Sequence, residues 1–217
     1  MNFMTQSEVM SMLDTLYAKS IDGLQKVSPP IDKLAHEYLD LNISTEVAAR
    51  KFINNQIAKC TTSGFLTGLG GLITLPVAIP ANISSVLYVQ MRMIACLAYM
   101  GGYDTKSDQV QTLVYVCLAG VSVDQLAKNI GIQFGTKMTN SMIQKIPGKT
   151  LTAINQKVGF RFITKFGEKG LINLGKTVPL IGGIISGGFD FVETKAIATR
   201  AYKLFIEGDS SVLETES

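Results

Sequence analysis

The sequence predicts an all-α protein, a single compact domain of several helices arranged around central glycine-rich apolar segments. Apolar residues recur at spacings of three and four along most of the chain, and no stretch combines the alternation of a strand with regularly spaced turns. The chain has 217 residues, of which 47% are apolar and 17% are charged. This length can bury a substantial core, and the scarcity of charge predicts deep burial, self-association or contact with a membrane.

Residues 1–43 predict a pair of amphipathic helices that precede the main helical domain. The first helix is expected over residues 7–27, and the SPP sequence that follows ends it. Ser28 is expected to cap the second helix, whose first turn contains Pro29 and Pro30. The inward-facing residues of the first helix are expected to be Val9, Met12, Leu13, Leu16, Tyr17, Ile21 and Leu24.

The main domain is expected over residues 44–206 and begins with a helix that Ser44 opens. Residues 60–91 contain no charged side chain, a length that suits a membrane span, but four glycines and two prolines interrupt them. The segment is therefore either a buried pair of helices or a hairpin that dips into lipid. The absence of flanking Lys and Arg clusters favours burial in protein, and a regular helix is expected over residues 81–100.

Further helices are expected after the GGYD turn at 101–104. Glycines four residues apart, in GFLTG and GGIISGG, would let two helices approach closely, although glycines that mark helix ends would have the same spacing. Residues 207–217 are polar and acidic and predict a disordered tail. The expected helices cover 105–119, 122–145, 149–169 and 179–205.

A basic region lies between residues 128 and 176, which contain nine Lys and Arg residues and one acid. Cations four residues apart in this region suit anionic lipid headgroups, although a solvated lysine-rich face would have the same pattern. Nucleic acid is not the expected partner, because the nearby aromatics are Phe160, Phe162 and Phe166, which are better used in packing. The predicted membrane-binding cations are Lys157, Arg161, Lys165 and Lys169.

The cysteines and the N-terminal sequence indicate a cytoplasmic location. Cys60, Cys96 and Cys117 are odd in number, far apart and set in apolar stretches, which predicts buried thiols in a reducing compartment. The first residues lack the basic start and apolar run of a secretory signal. The protein is expected to lie at the inner face of the cell membrane, bound peripherally or partly inserted.

Residues 170–177, GLINLGKT, match the spacing of the phosphate-binding loop of nucleoside triphosphatases. That loop requires a buried strand that delivers its glycines to the N-terminus of a helix, but the preceding segment here has a helical pattern. The chain that follows is too short for the further strand and helix units of a nucleotide-binding fold. We attribute the match to chance and expect no nucleotide to bind.

No other set of residues predicts catalysis, a metal ion or a cofactor. The one histidine, His36, stands in HEYLD without the second histidine of an HExxH motif, and a solvated helix position is its expected role. Asp190 and Glu193 could form a carboxylate pair, but a charged helix face explains them equally well, because three cations follow nearby: Lys195, Arg200 and Lys203. The sequence therefore predicts a non-enzymatic protein.

Two motifs on either side of the basic region carry a resemblance to a known family. GFLTGLGGLITLPVAIPANISSVLYVQMRMIACLAYMGGYD covers residues 64–104, and VPLIGGIISGGFDFVETKAIATRAYKLF covers residues 178–205. Their order and spacing resemble the EcsC family of bacterial proteins, although Ala81 and Asn82 replace an acid that family members often carry and GGYD replaces a Tyr-Gly turn. The matching residues are Gly68, Gly70, Gly71, Leu75, Pro76, Pro80, Arg92, Tyr103, Asp104, Pro179, Gly182, Gly183, Gly187, Thr194, Lys195 and Ala196.

The resemblance implies a helical, membrane-associated accessory protein, and no catalytic activity carries over from it. A link to a transporter is also implied, since the family takes its name from an operon that encodes an ABC transporter. We therefore expect docking on a membrane surface with anionic lipids, with a membrane protein as a further partner. Two alternatives stay open: a soluble helical module that encloses a lipid or another hydrophobic ligand, and a pore-forming or membrane-disrupting effector.

Overall fold

A computed structural model describes residues 5–42, 44–60, 81–122, 138–166 and 185–213 of the chain. Within these ranges the backbone forms helices, turns and one isolated bridge between Leu24 and Ser28, with no strand. The predicted all-α class is confirmed, and the helices share one core in a compact domain. The helices are α1 (Gln6–Asp22), α2 (Ile31–Leu39), α3 (Thr45–Cys60), α4 (Ala81–Met100), α5 (Asp108–Ala119), α6 (Asn140–Gln144), α7 (Gly148–Phe166) and α8 (Ile185–Tyr202).

Helix α4 is the centre of the domain and contacts α1, α2, α3, α5 and α8. Its bounds agree with the predicted helix over residues 81–100. Every residue from 87 to 98 is buried, and because this run exceeds three helical turns, all faces of the helix are covered by protein. The end of the uncharged segment thus lies inside the protein.

The central helix itself contains no glycine. Of the two glycine-rich apolar segments predicted to form the centre, GFLTG at 64–68 lies outside the described residues, and the last four residues of GGIISGG at 182–188 form the start of α8 (Ile185–Tyr202). The choice between a buried helix pair and a membrane-dipping hairpin therefore concerns a part of the chain that the structure does not describe. In the described part, α4 is the helix on which five other helices pack, and its apolar side chains belong to the shared core.

Helix α1 places its apolar face against α4 and α7. A capping box starts the helix, in which the Thr5 hydroxyl accepts from the N–H of Glu8 at 3.2 Å and the Glu8 carboxylate accepts from the N–H of Thr5 at 2.6 Å. The residues predicted to face inward are buried, apart from Ile21, which is partly buried. The helix ends earlier than predicted, because Gly23 turns the chain with φ +78° where a Cβ would lie 2.3 Å from the carbonyl oxygen of Ser28.

Ser28 does not cap α2, in contrast to the prediction. Its hydroxyl accepts from the N–H of Leu24 at 3.0 Å and lies 2.7 Å from the hydroxyl of Tyr88 on α4. Helix α2 begins at Ile31, after Pro30, without a side-chain cap. Since the two prolines have no N–H, a hydroxyl at residue 28 has few donors to accept from in that turn. It anchors the α1–α2 turn to the central helix instead.

Helices α5 and α7 pack against each other, and α7 also contacts α1. Helix α5 begins later than predicted because Ser107 caps it, accepting from the N–H of Val110 at 3.4 Å. Of the helix predicted over residues 122–145, the described part contains α6, and residues 123–137 lie outside the description. Helix α7 begins at the predicted position, and the last three residues of its predicted span are not described.

The C-terminal segment differs from the predicted disordered tail. After α8 the chain forms a π-helical turn, Lys203–Glu207, and then a 3-10 turn, Ser210–Leu213. Ser210 and Leu213 are buried, with 2% and 1% exposure. Burial of an apolar side chain opposes the entropy lost on ordering, so the predicted disorder does not apply to residues 207–213. Residues 214–217 lie outside the described part.

Candidate functional site

A cleft of about 460 Å³ lies where the C-terminal end of α5 meets α7 and α8. Two arginines from different helices line it, Arg161 of α7 and Arg200 of α8. We call this depression the arginine cleft. Its other lining residues are Leu118, Ala119, Gly120, Thr164 and Glu193.

Arg200 is held in place by the end of helix α5. Its Nη1 donates to the carbonyl oxygen of Cys117 at 2.5 Å, one of the last carbonyls of α5, which have no partner within the helix. Gly120 ends α5 with φ +64°, and a Cβ at this position would lie 2.8 Å from Nη1. Burial lowers the pKa of Arg200, Cys117 opposes this effect, and the positive charge of Arg161 adds to it. The guanidinium of Arg200 is thus fixed and partly removed from water.

Arg161 is exposed and enters the same cleft from α7. Within the described part of the chain, neither cleft arginine forms an ion pair. Glu193 also lines the cleft, so among the described residues of its wall the ionisable side chains are two cations and one anion. Such an arrangement attracts an anionic group from outside the protein.

The four predicted membrane-binding cations do not share one environment. Lys157 is half-buried, and its Nζ donates to the carbonyl oxygen of Ser122 at 2.6 Å, which ties α7 to the end of α5. Arg161 lies in the cleft, as described above. The side chain of Lys165 and the whole of Lys169 lie outside the described residues. Of the predicted stripe, Arg161 is therefore the described cation that is available at the surface.

Two exposed apolar side chains directly precede cleft residues in the chain. Phe160 and Val192 each have 67% exposure, and they are the chain neighbours of the cleft residues Arg161 and Glu193. Phe160 was expected to be used in packing but is exposed, whereas Phe162 is packed, with 2% exposure, and the side chain of Phe166 lies outside the description. The difference follows from the helical period, because a residue two positions along α7 points to a different face.

Two polar residues of α4 that are buried join the central helix to its neighbours. Arg92 has 5% exposure, and its guanidinium donates to the carbonyl oxygen of Ser20 at 2.8 Å and to that of Pro29. Burial lowers the pKa of Arg92. Gln90 donates from Nε2 to the hydroxyl of Thr194 on α8 at 3.0 Å, and both are buried. These contacts satisfy polar groups inside the core.

The remaining described motif residues also have structural contacts. The hydroxyl of Tyr103 donates to the carbonyl oxygen of Met138 at 3.2 Å, and the carboxylate of Asp104 accepts from the N–H of Lys106 at 2.9 Å. Lys195 is exposed on α8. The described residues of the motifs therefore organise turns and helix contacts. Outside the described side chains lie Gly68, Gly70, Gly71, Leu75, Pro76, Pro80, Ala81, Asn82, Pro179, Gly182, Gly183 and Gly187.

His36 is exposed on α2, as predicted. Its Nδ1 lies 3.8 Å from the carboxylate of Asp40, and its ring packs edge-on against Tyr99. It borders an open depression of about 870 Å³ between α2 and α3 that is lined by polar side chains. In the described ranges no group of three or more His, Cys, Asp or Glu residues could hold a metal ion. The GLINLGKT segment and the side chain of Asp190 lie outside the described residues.

Cys96 and Cys117 are free thiols buried in the core, as predicted. Burial raises the pKa of each thiol to about 12, so both stay protonated at neutral pH. A thiolate is the reactive form of cysteine, and these two positions therefore do not suit nucleophilic chemistry. The side chain of Cys60 lies outside the description.

The fold and the cleft define an all-helical protein with a buried central helix and two arginines on one surface cleft. The model of the EcsC protein family matches residues 4–206, and the chain belongs to this family. The match includes α1 and α2, which were expected to precede the family domain, and both helices pack on α4. A search of curated proteins and a search of solved structures each find no match. No helix in the described ranges is long and apolar enough to cross a membrane.

Sequence reasoning assigned Arg200 to an ordinary charged helix face and did not identify Gly120. One signal was available, since a glycine directly after an apolar helical run is typical of a helix end, where a cation can satisfy the last carbonyls. The partner could not be identified in this way, because 83 residues separate Arg200 from Cys117. The cleft is therefore a product of long-range packing.

Proposed function

We propose that this protein is a non-enzymatic accessory protein that docks reversibly on the anionic inner face of the cell membrane. The observation that carries the proposal is the arginine cleft, together with the exposed side chains of Phe160 and Val192 on the same two helices, α7 and α8. Cations attract anionic headgroups, and an exposed aromatic side chain beside them can enter the boundary between headgroups and acyl chains. A membrane protein, such as a transporter component, is the further partner that we propose.

The strength of this docking is set by few groups. Each Lys or Arg near an anionic surface contributes about 1 kcal/mol, and the attraction falls within a Debye length of about 8 Å at physiological ionic strength. Burial of a Phe side chain in lipid adds up to about 3 kcal/mol. Binding through Arg161, Arg200 and Phe160 is therefore weak, reversible and sensitive to salt.

Flotation with vesicles of phosphatidylglycerol and phosphatidylcholine tests the proposal with two matched pairs of variants. Arg161→Glu is expected to weaken binding about 30-fold, because reversal changes two unit charges. Its control is Lys33→Glu, an exposed cation on α2. Phe160→Ser is expected to weaken binding by up to about 150-fold, the factor given by about 3 kcal/mol of lost apolar burial, and its control is Leu41→Ser, where Leu41 has 82% exposure.

Added salt is expected to release the wild-type protein, since the attraction is electrostatic. If the control variants lose as much binding as Arg161→Glu and Phe160→Ser, docking does not occur through the α7–α8 face. A wild-type protein that does not float with anionic vesicles at low salt would refute membrane docking altogether.

A further inference from the structure

One guanidinium of the arginine cleft is held in a fixed position by the protein itself. Arg200 is anchored through Nη1 to the end of α5 and lies close against the backbone of Gly120. A guanidinium has five N–H donors in a fixed planar fork, so one anchored nitrogen fixes the direction of the others. Because the Arg200 side chain is already fixed, binding an anion there would cost little further side-chain entropy.

The second guanidinium of the cleft comes from another helix and is less constrained. Arg161 is exposed on α7, and its charge lowers the pKa of Arg200 in addition to the larger effect of burial. Two like charges that face one depression repel each other, and an anion between them would relieve this repulsion. Glu193 on the same wall removes part of the positive charge without reversing it.

Two guanidinium groups on separate helices favour some classes of anion over others. A carboxylate has two oxygens, which a single guanidinium can occupy in a bidentate pair. A phosphate monoester has three terminal oxygens in a tetrahedral arrangement, so two guanidinium groups that approach from different directions can each bond to it. A phosphate diester offers two such oxygens and satisfies the pair less well.

We infer that the arginine cleft binds the phosphate monoester headgroup of a membrane lipid, and that this contact selects the surface on which the protein docks. The inference rests on the docking proposed above and adds the chemical class of the ligand. Phosphatidic acid carries such a headgroup, whereas the phosphate of phosphatidylglycerol is a diester.

The test compares vesicles that contain phosphatidic acid with vesicles that contain phosphatidylglycerol, adjusted to equal surface potential. The wild-type protein is expected to bind the phosphatidic acid vesicles about tenfold more tightly, the factor given by one additional charge-assisted hydrogen bond. Arg161→Gln is expected to abolish this preference, whereas Lys33→Gln keeps it.

The outcomes separate this inference from the docking proposal. Equal affinity of the wild-type protein for both vesicles would overturn the phosphate monoester site and leave docking intact. If the protein binds neither kind of vesicle, docking is overturned. Titration with glycerol 3-phosphate then shows whether the cleft binds a phosphate monoester at all. Saturable binding that Arg161→Gln removes would support a phosphate site with a soluble ligand, and no binding would overturn the site as well. A native circular dichroism spectrum for Arg161→Gln confirms that the variant is folded.

Discussion

Replacement of Arg92 by methionine tests how the central helix holds the turn between α1 and α2. Arg92 lies on α4 and donates to the carbonyl oxygens of Ser20 and Pro29. Ser20 is one of the last residues of α1, whose carbonyls have no partner within the helix. Methionine has a similar length but no donor, so Arg92→Met leaves both acceptors without their partner while filling much of the space.

The expected cost follows from the two bonds and from the burial of the charge. A hydrogen bond to a charged group contributes about 1.5–3 kcal/mol, and two are lost. Arg92 has 5% exposure, so its replacement also removes a desolvation penalty that offsets part of this loss. We expect a net loss of about 3 kcal/mol in the free energy of unfolding, which lowers Tm by roughly 6–12 °C for a domain of this size.

Urea unfolding followed by circular dichroism measures this change. The matched control is Arg50→Met, because the side chain of Arg50 is 67% exposed and lies 3.9 Å from the carboxylate of Glu207. An exposed ion pair contributes at most about 1 kcal/mol, so the control is expected to lose little. Arg92→Lys, which keeps the charge without the planar fork, is expected to lie between the two. A loss below about 1 kcal/mol in Arg92→Met would refute the role assigned to these two bonds.

Three further predictions concern other parts of the core. Gly120→Ala is expected to lower the free energy of unfolding by about 1–2 kcal/mol more than Gly102→Ala. Both positions have positive φ, but only at Gly120 would the new Cβ contact the Arg200 guanidinium, and the urea midpoints of the two variants measure the difference. Leu213→Ala is expected to lose about 2–3 kcal/mol in urea unfolding, and an unchanged midpoint would mean that the C-terminal turn does not belong to the core. Burial raises the pKa of Cys96 and Cys117 from 9.0 to about 12, so the unfolded chain releases these protons first. The contribution of the two protonated thiols to the free energy of unfolding is therefore fully present below pH 9, and it falls between pH 9 and 12 by up to about 1.4 kcal/mol per pH unit for each thiol. In urea titrations over this range, the variant with alanine at both positions should show a shallower decline.

Much of the fold could be predicted because local signals agree with the tertiary structure. The sequence marks the ends of α4 by Pro80 and Gly101, and the structure has the helix over Ala81–Met100, directly between them. The end of α1 was missed because the apolar spacing continues past Gly23, where the chain turns, and the turn that follows is held to α4 by the contact between Ser28 and Tyr88. Local patterns cannot include a contact whose two residues lie 60 positions apart.

The candidate site was predicted in part. The basic spacing on α7 identified Arg161 and Lys157 as equivalent cations, since both lie on the same helical stripe. In the structure Lys157 donates to the carbonyl oxygen of Ser122, and Arg161 faces the cleft with Arg200. The difference arises because the carbonyl oxygen of Ser122 lies within hydrogen-bond distance of Lys157, whereas Arg161 lies one helical turn further along α7, in the cleft at the end of α5.

The sequence by itself determined the helical class, the span of the central helix and the burial of the Cys96 and Cys117 thiols. These properties follow from hydrophobic periodicity and from glycine and proline, which act over a few residues. The tertiary structure alone decided which cations became structural and which stayed at the surface. Arg92 and Arg200 reach backbone carbonyls 72 and 83 residues away in the chain. The role of a charge depends on the partners that folding brings to it, and at the described end of α5 folding brings two guanidinium groups to one cleft.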